Sequence, residues 1–321
     1  MQTEECLMNF TSLDYFIALV QEKSYTKAAQ RLHVTQQTLS AHIAALEKEM
    51  NCKLVVRQIP LDFTWAGRVF YRHALSLRTG KDTMEKEIAD AAGDETGIFR
   101  LGISPNRGHM ILPDILSRYA GTYPGIHVEL TEEVNRVLMK KLLDGDIDLT
   151  IAYFKEDVPG VTQEFFYKEE IVLLLPKVLW AARGNEEIKK QLESRSEGCL
   201  APLGDFPFLL TGSGTVPGRM ARRLFAEADI NPPVIVSSDN LELLIELCVK
   251  GTGALFCPEK QVLKNVGPED LKNIYIIHLK DAYRTISFGY RKDLRTWKPL
   301  SNFIALAQEE HRRIEESRIG K

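Results

Sequence analysis

The chain has 321 residues, a formal net charge of −3 and five scattered cysteines (Cys6, Cys52, Cys199, Cys248, Cys257). That length supports two or three domains with real cores, and no apolar run of about 18 residues predicts a membrane span. The acidic start MQTEEC lacks an apolar stretch, so no secretory signal is expected, and the odd cysteine count argues for a reducing, cytoplasmic setting without a disulfide framework. The overall negative charge does not exclude a nucleic-acid partner, because only the face near the phosphates matters. Between Arg31 and Arg68 basic residues slightly outnumber acidic ones, a weak patch that would need two domains acting together.

Residues 10–50 predict three helices. The first turns Phe16, Leu19 and Val20 inward. Ser24 to Ser40 then reads as two short helices broken at His33-Val34-Thr35. Ala28, Ala29 and Leu32 share a face of one; Leu39 and Ile43 share a face of the other. Thr35 suits an N-cap, and the paired alanines allow close helix approach, which together make a helix-turn-helix. Gln36, Gln37 and Thr38 open its second helix. In this motif such positions meet base edges in the major groove, where Gln pairs with adenine and Thr bonds polar edges or touches a thymine methyl. Ser24, Thr26, Arg31, Thr35, Ser40 and His42 complete the candidate DNA contacts on these helices. Residues 54–57 and 61–64 predict two short strands around Gln58-Ile59-Pro60, a wing that would offer Arg57 to a phosphate.

Up to Gly67 the chain resembles the LysR-type transcriptional regulators. The resemblance rests on the apolar first helix, Ser24-Tyr25-Thr26 with Ala28-Ala29, Thr35-Gln36 with Leu39-Ser40, Leu46-Glu47 and Thr64-x-x-Gly67. Gln37 stands where the family usually has Pro, and Asn51 where it usually has Gly. Asn tolerates the left-handed backbone that ends a helix. Gln37 replaces a helix-starting residue with one able to read a base.

A helix is predicted over residues 65–94, with Phe70, Ala74, Leu77, Lys81, Met84, Ile88 and Ala91 repeating as a heptad seam. At about 1.5 Å per residue it spans about 40 Å. Two such helices paired would set two recognition helices on neighbouring grooves about 34 Å apart. A homodimer or homotetramer is therefore expected. Residues 93–97 read as a hinge.

Beyond the hinge, strands and helices alternate, which predicts a parallel α/β sheet with helices on both faces. Strands are expected at 99–104, 125–132, 147–154, 170–175, 208–210, 234–236, 254–257, 274–278 and 285–290. Helices are expected at 111–123, 134–144, 219–228, 241–250 and 300–316. The predicted fold class is an N-terminal all-α winged helix-turn-helix with a long linker helix, followed by a C-terminal α/β domain of two periplasmic-binding-protein-like subdomains. The expected domains are 8–67 for DNA binding, 68–94 for the linker and 97–310 for an effector domain. Its first subdomain takes about 97–167 and 280–310, its second about 168–279. TYPGIHVEL, LLDGDIDLTIAY and Gly251-Thr252-Gly253-Ala254 resemble landmarks of the LysR-type effector domain.

The resemblance implies a small-molecule effector between the subdomains, and open α/β sheets bind ligands beyond the carboxyl ends of strands. The candidate contacts are Ser104, Asn106 and Arg107, then Thr131 and Glu133, Tyr153, and Thr211, Gly212 and Ser213. Arg107 and two helix N-termini suggest an anionic effector. Double-stranded DNA is the expected macromolecular partner, with RNA polymerase a further one and no membrane. The chain lacks catalytic, metal-ligand and phosphate-loop spacings, so no cofactor, metal or enzymatic activity is expected. The peroxide-sensing branch of the resembled family uses a close cysteine pair; Cys199 has no near neighbour, and Cys248 and Cys257 sit in apolar segments as structural thiols. The competing reading is a solute-binding or enzyme module without DNA binding.

Overall fold

The computed structural model describes residues 8–56, 58, 60–93, 95–193 and 200–319; Arg57, Cys6 and Cys199 lie outside them. Helices α1 (Phe10–Glu22), α2 (Tyr25–Arg31) and α3 (Gln36–Glu49) enclose one small core of Phe16, Leu19, Ala28, Ala29, Leu39, Ile43 and Leu46. Left-handed His33 (φ 55°) makes the turn between α2 and α3, and left-handed Asn51 (φ 48°) follows α3.

Strands β1 (Val55–Val56) and β2 (Asp62–Phe63) pair antiparallel as the wing. Glu47 anchors it. Its buried carboxylate accepts the N–H of Leu54 (2.9 Å) and Val55 (3.1 Å) and the ammonium of Lys53 (2.7 Å). Burial alone would raise its pKa, but these bonds outweigh burial and hold it below the ordinary 4.5. Thr64 caps the next helix, α4 (Trp65–Ala91), accepting the N–H of Gly67 at 3.0 Å. A Cβ on Gly67 would stand 2.1 Å from the Leu54 carbonyl oxygen, so only glycine lets α4 pack this close to the wing.

The predicted heptad seam divides. Ala74 is buried with Leu13 and Ile17, and Phe70 meets Phe16 edge-on at 5.1 Å. Leu77, Met84 and Ile88 remain 50%, 52% and 60% exposed. Their spacing of seven and four keeps them on one side of the helix.

The C-terminal domain opens with β3 (Gly97–Ile103), α5 (Pro105–Thr122), β4 (Ile126–Glu132), α6 (Asn135–Asp144) and β5 (Leu149–Tyr153). A long strand, β6 (Val161–Pro176), leads into α7 (Lys177–Arg183), α8 (Glu186–Glu193), β7 (Phe208–Leu210), α9 (Val216–Glu227), β8 (Val234–Ser237), α10 (Leu241–Val249) and β9 (Ala254–Pro258). After α11 (Glu259–Asn265) and α12 (Pro268–Leu271), β10 (Ile274–Arg291) returns the full way, and α13 (Lys298–Ile319) closes the chain.

All eight of these strands form one sheet, ordered β4-β3-β5-β10-β6-β9-β7-β8. It is mixed rather than the expected parallel one. β10 runs antiparallel to both β5 and β6, and β6 antiparallel to β9. The strands read at 274–278 and 285–290 are one strand with an irregularity between His278 and Tyr283. Helix α5 begins at Pro105, six residues earlier than the apolar periodicity indicates, because proline fits the first helical turn and needs no apolar neighbour there. Phe99, Tyr119, Trp297 and Phe303 fill one core, Phe208, Phe225 and Phe256 a second, and Leu174, Leu244 and Ile245 a third.

The linker α4 lies against the C-terminal domain. Lys86 reaches the fully buried Asp148, with its ammonium 4.5 Å from the Trp297 ring centroid. Thr83 donates to Asp293 (2.8 Å), and Asp90 accepts the Lys298 N–H (2.8 Å).

A carboxylate with a depressed folded-state pKa stabilises the fold above its ordinary pKa and loses that contribution as pH falls through the depressed value. The N-terminal domain is therefore expected to weaken progressively below pH 4.5. Glu47→Gln should remove that pH dependence and cost about 1.5–3 kcal/mol at neutral pH. Urea unfolding followed by circular dichroism at several pH values tests this; a variant as stable as the parent at pH 7 contradicts it.

Candidate functional site

Two places gather the candidate residues. The first is the tip of α3. Thr35 caps it, accepting the Thr38 N–H at 3.1 Å, and the Thr35 and Thr38 hydroxyls share a 2.8 Å hydrogen bond. Thr26 on α2 donates to the Gln36 side-chain oxygen at 3.2 Å. Gln37 is exposed between them. The remaining residues have other work. Ser24 caps α2, accepting the Lys27 N–H. Arg31 bonds Gln21 (2.7 Å) and Glu22 (3.2 Å) of α1, so its charge is already partnered. His42 packs its ring edge-on against Tyr15 at 4.8 Å, and Ser40 is half-buried.

The second place is a cleft of about 180 Å³ between the subdomains. That is below the 300–1,000 Å³ typical of drug-sized sites and suits a small metabolite. Ser104, Asn106 and Arg107 line it from the start of α5, as Thr211 does from the end of β7. Thr215, the α9 cap, bonds Thr211 hydroxyl to hydroxyl at 2.7 Å. Sequence reasoning missed Val134, Asn135, Arg219, Asp239 and Gln261, which also line it. Thr215-x-x-Gly218 ahead of an apolar helix could have pointed to α9, but Gln261 lies on α11, too short to leave a periodic signal.

Arg107 differs most from expectation. It is not free to grip an anion. Its guanidinium is 6% exposed and binds both oxygens of Glu169 (3.0 and 3.3 Å). Burial works against the charge, but Glu169 and Tyr167 outweigh it and push the pKa above the ordinary arginine value. Burial and the Glu169 charge likewise raise Tyr167. The charged lining balances, with Arg107 and Arg219 against Glu169 and Asp239. Gln261 donates to the Asn106 carbonyl (3.0 Å), while its buried side-chain oxygen has no hydrogen-bond partner.

Other expected contacts fall outside the cleft lining. Thr131 and Glu133 sit at the edge strand β4, one strand beyond β3, and the next two residues, Val134 and Asn135, take the cleft position. The Tyr153 ring carries the Arg284 guanidinium at 5.3 Å, and its carbonyl accepts from Asn135 (3.0 Å). Gly212 donates its N–H to Asp239 (3.0 Å), and the Ser213 carbonyl accepts from Arg219. Cys248 and Cys257 are buried; burial pushes the Cys248 thiol up to about 12, so it carries almost no thiolate at neutral pH.

The family described as "Bacterial regulatory helix-turn-helix protein, lysR family" matches residues 10–68, and "LysR substrate binding domain" matches residues 92–312. The chain belongs to the LysR family. It is a DNA-binding transcriptional regulator with an effector-binding domain. It is 26% identical to the HTH-type transcriptional regulator AlsR of Bacillus subtilis over 98% of this chain and 100% of that one. It is 24% identical to the probable RuBisCO transcriptional regulator of Trieres chinensis, covering 82% and 84%. Among solved structures, full-length OxyR from Pseudomonas aeruginosa superposes with a TM-score of 0.66 at 21% identity, covering 94% and 93%. CbnR complexed with its target DNA gives 0.56 at 22% identity, covering 94% and 99%. Among the described residues, no helix of this LysR-type chain is long and apolar enough to cross a membrane.

Removing one partner of a buried ion pair strands the other charge, at a cost of about 3–5 kcal/mol. Arg107→Leu is expected to show that loss in urea unfolding, and Arg107→Leu with Glu169→Leu should recover most of it. Equal stabilities for the single and double variants would contradict the pairing.

Proposed function

We infer that this regulator acts as a dimer or a dimer of dimers, reading DNA through two copies of α3 and responding to a small polar effector in the inter-subdomain cleft. The carrying observation is the exposed Gln37 at the tip of a capped helix whose neighbours are tied. Thr26 holds Gln36 by its oxygen, leaving the Gln36 amide N–H donors to face outward. Gln37 keeps both donor and acceptor, the pair that adenine needs. Arg57 is assigned a phosphate, a contact that carries no sequence information.

Leu77, Met84 and Ile88 supply the apolar stripe along which two α4 helices pair. Pairing contributes affinity through effective concentration and offsets the weak basic patch. In the cleft, the balanced charges favour a neutral or zwitterionic effector over the strong anion that a free Arg107 would select. Thr211, Thr215 and Gln261 offer its hydrogen bonds. Lys86 and Thr83 fix α4 to the first subdomain, so an effector that sets the second subdomain at a different angle would change how neighbouring copies meet, and with it the spacing of the reading helices. RNA polymerase at the adjoining promoter is the further partner of such a switch.

Gel shifts against upstream DNA test the reading. Gln37→Ala should lower discrimination between preferred and altered sites by about 1–3 kcal/mol, while Arg57→Ala should weaken all sequences alike. Unchanged discrimination in Gln37→Ala would remove the base-reading role. Leu77→Asp with Ile88→Asp should sediment as a monomer and lose DNA binding at moderate salt. A thermal-shift panel of neutral, zwitterionic and anionic metabolites should yield hits of the first two kinds that Thr211→Val loses; hits confined to anions contradict the cleft assignment.

A further inference from the structure

Three potential metal ligands that do not line the cleft meet on the second subdomain. Glu170 lies on β6, His278 on β10, and Glu259 opens α11. Sheet register explains the meeting. His278 pairs across from Val172, and Glu170, two residues before Val172, projects from the same face as a diagonal neighbour. On the other side of β6, Pro258 pairs with Ile171, which delivers the next residue, Glu259. One ligand atom from each residue lies within 4.8 Å of the other two. The imidazole stands between the carboxylates, Nδ1 3.4 Å from Glu170 and Nε2 3.4 Å from Glu259. No spacing in the sequence announces this group, because its members are separated by long stretches of chain.

We propose that Glu170, Glu259 and His278 form a site for a first-row divalent cation of the zinc, cobalt and nickel group. One imidazole nitrogen and two carboxylate oxygens are the donors such ions take, with the remaining positions left to water. Ligands around a four-coordinate zinc ion stand about 3.4 Å apart for bonds of about 2.1 Å, so the most separated ligand atoms must close by up to about 1.4 Å. Glu170, with a side chain 60% exposed, is free to swing to the nitrogen that takes the metal. Access is open, since His278 also lines a solvent-accessible pocket beside Tyr275 and Trp180. A cation there would balance the two carboxylate charges that flank the imidazole.

The site bears on the effector domain through α11. Two residues beyond Glu259, Gln261 donates to the Asn106 carbonyl across the cleft. Lys264 of the same helix donates to the carbonyls of His109 (2.9 Å) and Met110 (3.2 Å) on α5. A metal that ties the start of α11 to β6 and β10 therefore stiffens the element bridging the two subdomains.

Calorimetric titration of Zn²⁺ into the full chain at pH 7.5, paired with thermal melts, tests the proposal. The expected result is one ion per chain and a melting point raised by the metal. His278→Ala and Glu259→Gln should each weaken the binding at least tenfold and abolish the melting shift, while His127→Ala changes neither. Circular dichroism in the absence of metal verifies that the variants fold, and Glu170→Gln provides a third, milder lesion. Absence of stoichiometric binding, or binding that survives unchanged in both His278→Ala and Glu259→Gln, overturns the site. Neither result touches DNA recognition by α3.

Discussion

The antiparallel pairing of β6 with β10 holds the C-terminal domain together. Each strand runs through both subdomains, so the halves share one continuous sheet. The pairing is irregular between His278 and Tyr283 and again at Ile286 and Ser287. Ladder hydrogen bonds resist separation of the strands, while a bulge permits local bending and twist. Within such a sheet a change of angle about these strands costs less than a parting of the subdomains.

The cleft inherits its character from the same strands. Glu169 on β6 reaches into the first subdomain and takes both bonds of Arg107, at the start of α5. A buried ion pair of this kind gives little net stability, because desolvation offsets much of the attraction. It does fix position strongly, since either charge alone would be stranded. The wall near Asn106 and Arg107 is thus preorganised, and its charge is spent inside the protein rather than on a ligand. Hydroxyl and amide groups, among them those of Thr211, Thr215 and Gln261, remain on the lining.

The path to DNA is short. Lys86, Thr83 and Asp90 tie α4 to the effector domain, and Phe70 and Ala74 tie the same helix to the reading domain. One helix thus carries contacts to both ends and still exposes Leu77, Met84 and Ile88 along one side. The tip of α3 is held separately, by caps within the helix-turn-helix. Motion of α4 would carry α3 as a rigid unit, which suits control by spacing rather than by remodelling of the reading surface.

The sequence by itself determined the helix-turn-helix, the capped tip at Thr35, the long α4 and the alternation of strands and helices. These depend on near-neighbour chemistry: apolar spacing, cap residues and turn formers written within a few positions of one another. Tertiary structure decided the rest. The start of α5 at Pro105 was hidden because Asn106 and Arg107 carry no apolar period, and Arg107 is buried only by virtue of Glu169, 62 residues away. β10 read as two strands because its irregularity after His278 interrupts the pattern of a strand that continues. Phe70 and Ala74 left the expected seam because α1 lies close enough to bury them. Gln261, Asp239 and the Glu170–Glu259–His278 trio were equally illegible, since strand register and crossing chains, not local sequence, bring them together.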